Sequence, residues 1–320
     1  MERRKLQATG GSSLTLTLPK IWTSQWKLQS KDEVLVKTIG TSLLIKPAGK
    51  SKQEIAVDIT VDQMPEQWVL REMIGAYIAG ADKITLRSQR ISPAQNQAIR
   101  RAVQLFFGFE ILEETSHKIV ARSVVNDDMF PVSESTLRIF MITRGMFEDS
   151  LKAAQTGDKE LATDIKLRDY EVNKFLYAIQ RQFQQILSDK VEGNIEEVSY
   201  YRSVAIQLER VGDHAVKIAE LASADRTTAA RLSTTFPTIQ ERVHQLLKEV
   251  ESMVRHLDKK QAHTILDSGK DLEKLFYSSK RMKQAYEGAL IEDSLDRLRG
   301  YLMNIAELTI DYAFSSRSTP

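Results

Sequence analysis

LERVGDHAVKIAE (208–220) is followed, 87 residues on, by LDRLRGYLMNIAE (295–307). The unit extends upstream, because Ala162, Ile165, Lys174 and Tyr177 recur as Ala262, Ile265, Lys274 and Tyr277 at an offset of 100. A segment repeated in this way is one folded unit used twice. From about Pro131 onward strand patterns are nearly absent. Six long helices fit, with breaks near Thr156-Gly157-Asp158, Gly193-Asn194, residues 224–226, Asp258 and Gly288. The simplest packing is an all-α tandem of two three-helix bundles, over 127–225 and 226–320.

Two units precede the bundles. In 1–50, Leu14, Leu16 and Leu18 alternate with threonines as in a strand, and a short strand is expected at residues 4–8. Pro19 opens a short helix, and Val34, Val36 and Ile39 begin a hairpin that turns at Gly40-Thr41. In 51–126 the order is strand, helix, strand, helix and a hairpin, a small α+β unit, with Ser92-Pro93 as a helix start. The whole is a multidomain chain.

Composition narrows the function. The chain has 320 residues and no cysteine, which excludes disulfides and thiol catalysis and suits a reducing compartment. No run of apolar residues is long enough to span a bilayer and the N-terminus lacks a secretory core, so no membrane insertion and a cytoplasmic location are expected. Residues 1–50 hold nine Lys or Arg against three Asp or Glu, +6 in a chain whose net charge is +2. A basic end on an acidic body points to a polyanion partner. Arg3, Arg4, Lys5, Lys20 and Lys27 are the candidate contacts to the phosphates of duplex DNA. The glycine-rich stretch 9–13 lacks the ending of a P-loop.

Glu209, Asp213 and Glu220 occupy a narrow stripe of one helix, and Asp169 and Asn173 are spaced i, i+4 on the helix before it. Like charges at that spacing repel unless a cation lies between them. The five residues are candidate ligands for a hard cation such as magnesium or manganese. The alternative is a solvated face neutralised by Arg202, Arg210 and Lys217. The second copy keeps Glu273, Asp296 and Glu307 but has Gly269 and Gly300 in place of Asp169 and Asp213, so it is expected to be the weaker site, with Asp271 as a substitute ligand. His214 points away from Asp213 around the helix and is expected at the surface. No nucleophile, base and orienting group occur together, so the chain is not expected to be an enzyme.

GGSSLTLTLPKIW followed by KDEVLVKTIGTSLLIKP resembles the SpoVT/AbrB-type swapped-hairpin DNA-binding domains, although Ser13 stands where that family has an arginine. This resemblance implies an N-terminal swapped-hairpin β domain and a homodimer. Residues 131–315 resemble the PhoU-type phosphate uptake regulators, and the combination resembles archaeal regulators of that kind. The second resemblance implies iron or zinc bound at paired acidic motifs, of which Glu209 and Asp213 match directly and Asp169 and Asn173 match with Asn for Asp. Together they imply a DNA-binding transcription regulator of phosphate uptake and homeostasis. Two other readings remain. One is a protein-only regulator acting on a phosphate transporter subunit or a signalling partner, with the N-terminal unit serving for dimerisation. The other is a carboxylate-bridged metalloenzyme, for which Glu241-x-x-His244 is the single candidate pair.

Overall fold

A computed structural model of the protein describes residues 2–39, 41–48, 54–125, 131–188, 194–221, 237–279 and 286–315. The chain divides into two compact units, Met1–Gln53 and Glu54–Pro320.

In the first unit, strands β1 (Gln7–Thr9) and β2 (Ser13–Thr15) pair antiparallel. Gly10 adopts the positive φ of 70° that their tight turn requires. Helix α1 (Lys20–Gln25) follows, then the hairpin of β3 (Val34–Ile39) and β4 (Ser42–Pro47). The strand expected at residues 4–8 begins three residues later. The one expected through Leu18 stops at Thr15, because the alternating leucines have nothing to pack on: Leu14 is 66% and Leu16 43% exposed. Gly40, half of the expected turn, lies outside the described residues.

The second unit opens with a mixed sheet ordered β5-β6-β8-β7, made of β5 (Ala56–Thr60), β6 (Lys83–Arg87), β7 (Phe109–Glu114) and β8 (Lys118–Ser123). β5 and β6 run parallel because helix α2 (Glu66–Ile78) crosses between them. Helix α3 (Pro93–Gln104) is started by a capping box between Ser92 and Gln95. Val69, Met73, Tyr77, Ile99, Ala102 and Phe106 bury against the sheet.

Six helices follow among the described residues. They are α4 (Val132–Thr156), α5 (Lys159–Leu187), α6 (Ile195–Glu220), α7 (Pro237–His256), α8 (Lys259–Ser279) and α9 (Tyr286–Ser315). The repeat shows in their caps. Asp158 accepts from the Leu161 amide at 2.9 Å to start α5, and Asp258, 100 residues on, accepts from Gln261 at 3.0 Å to start α8. α4 ends at Gly157, left-handed at φ 71°. The break expected near Gly288 falls just before it: α8 ends at Ser279 and α9 begins at Tyr286, with Gly288 in its first turn, where a glycine interrupts no established ladder of hydrogen bonds. At the break expected at Gly193-Asn194, Asn194 caps α6 by accepting from the Glu196 amide at 3.0 Å, while Gly193 and residues 224–226 lie outside the described residues.

α4, α5 and α6 pack on one another, as do α7, α8 and α9, and α6 packs along α9 so that the buried side chains form one continuous core. The α6–α9 seam is antiparallel. Tyr200 stacks on Tyr312 at 4.6 Å and shares a hydrogen bond with Thr309 at 2.8 Å, while Asn304 donates to Gln207 at 3.1 Å. Arg144 on α4 bonds to Glu251 on α7. The sheet unit joins the bundle through Arg181 of α5. Its guanidinium donates to the carbonyls of Tyr77 at 2.9 Å and Ala81 at 2.7 Å and pairs with Asp82 at 3.2 Å.

Candidate functional site

The antiparallel pairing of α5 and α6 brings Asp169 and Asn173 opposite Glu209 and Asp213, with Tyr177 one turn beyond Asn173. Asn173 Nδ2 donates at 3.0 Å both to the Asp169 carbonyl and to its Oδ2. The other oxygen, Asp169 Oδ1, is buried without a hydrogen-bond partner. It faces Gly212 of α6, where a Cβ would stand 3.6 Å from it, in ordinary contact.

The electrostatics follow from that crowding. Burial, and then the Asp213 carboxylate, push the Asp169 carboxyl up to about 6 against the pull of Asn173. Burial, then Asp213 and Asp169, push Glu209 up to about 7, with Arg210 opposing. Tyr177 is raised by burial and then by Glu209, Asp169 and Asp213 in turn. Three carboxylates therefore share one field. Two of the expected neutralisers also face aromatic rings, Arg202 over Phe183 at 5.0 Å and Arg210 over Tyr301 at 5.7 Å, and of the two only Arg210 acts on Glu209. Arg168 is taken by Asp149 at 2.6 Å and by Asp164.

This face has the oxygen donors that a hard cation prefers, and the partnerless Oδ1 is the atom most in need of one. It is an open patch all the same. Among the described residues, no three Asp, Glu or His side chains close on a common point as a formed metal centre. Glu220 stands apart from the cluster, exposed and paired with Lys166 at 2.9 Å.

The second repeat is built differently. Arg299 Nε donates to Asp296 at 2.9 Å, its Nη2 lies 3.4 Å from Glu273, and its Nη1 approaches Met303 Sδ at 3.0 Å. The residue is 8% exposed. These carboxylates do not fit a metal, because a guanidinium already lies between them. Asp271 offers no substitute: it is exposed and bonded to Lys274 at 2.8 Å. Glu307 is exposed on α9.

One histidine differs from expectation and a second is accounted for. His214 is buried rather than at the surface, because α9 covers that side of α6 and Tyr301 lies 5.8 Å from its ring. Its Nδ1 has no hydrogen-bond partner, and burial, followed by Lys217, pulls its pKa down. His244 faces Glu148 of α4 at 3.5 Å, which removes it from any pairing with Glu241 of the kind a carboxylate-bridged metal core uses.

In the N-terminal unit Arg3, Arg4, Lys5, Lys20 and Lys27 are all exposed. Arg4 bonds to Thr17 at 3.1 Å and to Glu2 at 2.7 Å, which ties the leading segment to the chain leaving β2. Lys20 opens α1, and Lys27 follows it with a positive φ of 49°.

The helical half thus defines a tandem of three-helix bundles with an acidic face on the first. Residues 136–222, from α4 through α6, match the PhoU domain family. Two curated proteins of Caulobacter vibrioides strains, each a phosphate-specific transport system accessory protein PhoU homolog, are 33% identical to this chain over 95 residues. That stretch is 30% of the chain and 41% of each relative's length. Among solved structures, PhoU from Pseudomonas aeruginosa is similar with a TM-score of 0.49 at 18% identity, over 57% of this chain and 96% of that one. The phosphate transport system regulatory protein PhoU from Streptococcus pneumoniae scores 0.48 at 19% identity, over 57% and 94%. No helix among the described residues is long and apolar enough to cross a membrane.

Proposed function

We propose that this chain is a cytoplasmic, non-enzymatic PhoU-type regulator of phosphate transport, whose first bundle receives a cation or a basic partner on its acidic face. The observation that carries this reading is a coincidence of place. Asp169, Asn173, Glu209 and Asp213 all fall within residues 136–222, the segment that matches the PhoU domain. Their mutual repulsion supplies the free energy that a bound cation would release. Magnesium, manganese, iron and zinc are the cations to test, with Asp169, Glu209 and Asp213 as ligands. The experiment is phosphate uptake in a strain lacking this protein, complemented by wild type or by Asp169→Asn/Glu209→Gln/Asp213→Asn. Restored control by wild type and none by an equally abundant variant supports the reading. Full control by the variant removes the acidic face from function.

The N-terminal unit is proposed to bind duplex DNA as a homodimer. Each of its two sheets has two strands, a size that is marginal alone in water. Its apolar residues stand open, with Leu35 59%, Val36 58% and Leu43 61% exposed. A second copy would cover them, and the +6 charge suits a phosphate backbone. Binding of labelled duplex across a salt series tests this. A dimer that does not retain DNA favours the protein-only regulator, with a transporter subunit or signalling protein as partner.

A further inference from the structure

The offset of 87 residues sets Arg299 where the first repeat has Gly212, and Gly300 where it has Asp213. The same comparison sets Asp296 at the place of Glu209, and the offset of 100 sets Glu273 at the place of Asn173 and Gly269 at that of Asp169. The second repeat therefore lacks two of the carboxylates, carries one more at Glu273, and has a cation at the neighbouring position. The cation is in use. Arg299 reaches Asp296 on its own helix at 2.9 Å and Glu273 on α8 at 3.4 Å, and so spans the groove between α8 and α9. The place vacated by Asp169 is also filled: a Cβ on Gly269 would meet Met303 Sδ at 2.6 Å.

We infer that Arg299 is a built-in counter-ion that closes the second repeat to external cations. A guanidinium presents several donors in one plane and satisfies two carboxylates at once. Tethered to the same helix as Asp296, it competes at a far higher effective concentration than a free ion. A metal would have to displace it to reach the two carboxylates. The PhoU resemblance implies a metal motif in each repeat, whereas this chain keeps an internal cation in one of them. The inference rests on the geometry of α8 and α9 and stands whether or not the phosphate reading holds.

The test uses the full chain with its first repeat silenced by Asp169→Asn/Glu209→Gln/Asp213→Asn, with and without Arg299→Gln. Thermal unfolding is followed as manganese chloride is added. The silenced chain with Arg299 intact should show no shift in Tm. Adding Arg299→Gln should produce a saturable rise of roughly 2–4 °C at about ten times the dissociation constant. A rise of that size with Arg299 intact overturns the inference, and so does its absence after Arg299→Gln. Should Arg299→Gln fail to fold, Arg299→Gln/Glu273→Gln/Asp296→Asn decides. Recovery of folding on neutralising the two carboxylates identifies Arg299 as their counter-ion, and no recovery reduces it to packing.

Discussion

Replacing Asp169 by Asn, or Glu209 by Gln, should stabilise the protein at pH 8. Holding Asp169 ionised, when its ordinary value of 3.8 has risen to about 6, costs about 3 kcal/mol at about 1.4 kcal/mol per tenfold change. The rise of Glu209 from 4.5 to about 7 corresponds to about 3.4 kcal/mol by the same conversion. Both side chains remain partly solvated, so solvent screening reduces these figures to roughly 1–1.5 kcal/mol each. The two gains should not add, because Asp213 acts on both carboxylates. The direction with pH follows from linkage. A carboxyl whose folded pKa lies above its unfolded value binds more protons in the folded state. Its stabilising contribution is complete below about pH 4 and is lost as pH rises through about 6 to 7. Urea unfolding followed by circular dichroism between pH 5 and 8 should show the variants gaining on wild type as pH rises. Destabilisation by more than about 1 kcal/mol at pH 8 would refute this electrostatic account, because it would mean that each carboxylate is a satisfied structural group.

Four further expectations can be measured directly. His214→Phe should flatten the loss of stability on acidification below the ordinary histidine value of 6.5, because a buried histidine with a lowered pKa resists protonation in the folded state; urea titration at pH 5 and 7 reads this. Arg181→Met should cost roughly 3–5 kcal/mol, the price of stranding Asp82 and two carbonyls, with calorimetry as the measure. Tyr200→Phe should cost about 1 kcal/mol in urea unfolding by removing the bond to Thr309 across the α6–α9 seam. Arg3→Ala/Arg4→Ala/Lys5→Ala should weaken DNA binding on every sequence and flatten the log–log salt dependence by about one per lost phosphate contact, as measured by anisotropy; an unchanged slope removes these residues from the DNA face.

The helices were legible in the sequence because their apolar periodicity runs over many turns and recurs, and because their caps, such as Asp158 and Asp258, repeat with them. The β1–β2 hairpin was less so, since Leu14 and Leu16 alternate as strand residues do yet have no surface to pack against. At the site, the i, i+4 pairs were enough to bring Asp169, Asn173, Glu209 and Asp213 together once α5 and α6 ran antiparallel. Glu220 shares their stripe, but seven residues carry it about 10 Å beyond Asp213 along the helix, where Lys166 takes it up. His214 misled because what buries it is α9, which the periodicity of α6 does not record. Arg299 was missed for a different reason. The carboxylate pattern of the second copy does not show it, and the compensating gain sits one residue before the place of Asp213, where arginine stands against Gly212.

The two bundles have the same architecture and opposite electrostatics, and this difference assigns them different mechanical parts. In the second, Arg299 satisfies the acids from within, so an added ion has little repulsion to relieve there. In the first, the penalty on Asp169 and Glu209 is retained in the folded protein, and whatever cation arrives can recover it. A ligand stabilises a state only by binding it preferentially, so a cation bound under the proposed reading would stabilise the first bundle more than the second. The second bundle is its backing, held along α6 by Tyr200–Thr309 and Asn304–Gln207. α5 carries Asp169 near its middle and Arg181 three turns later, the latter clamped to the sheet unit. Arg181 is thus a direct contact between the helix that carries Asp169 and the sheet unit.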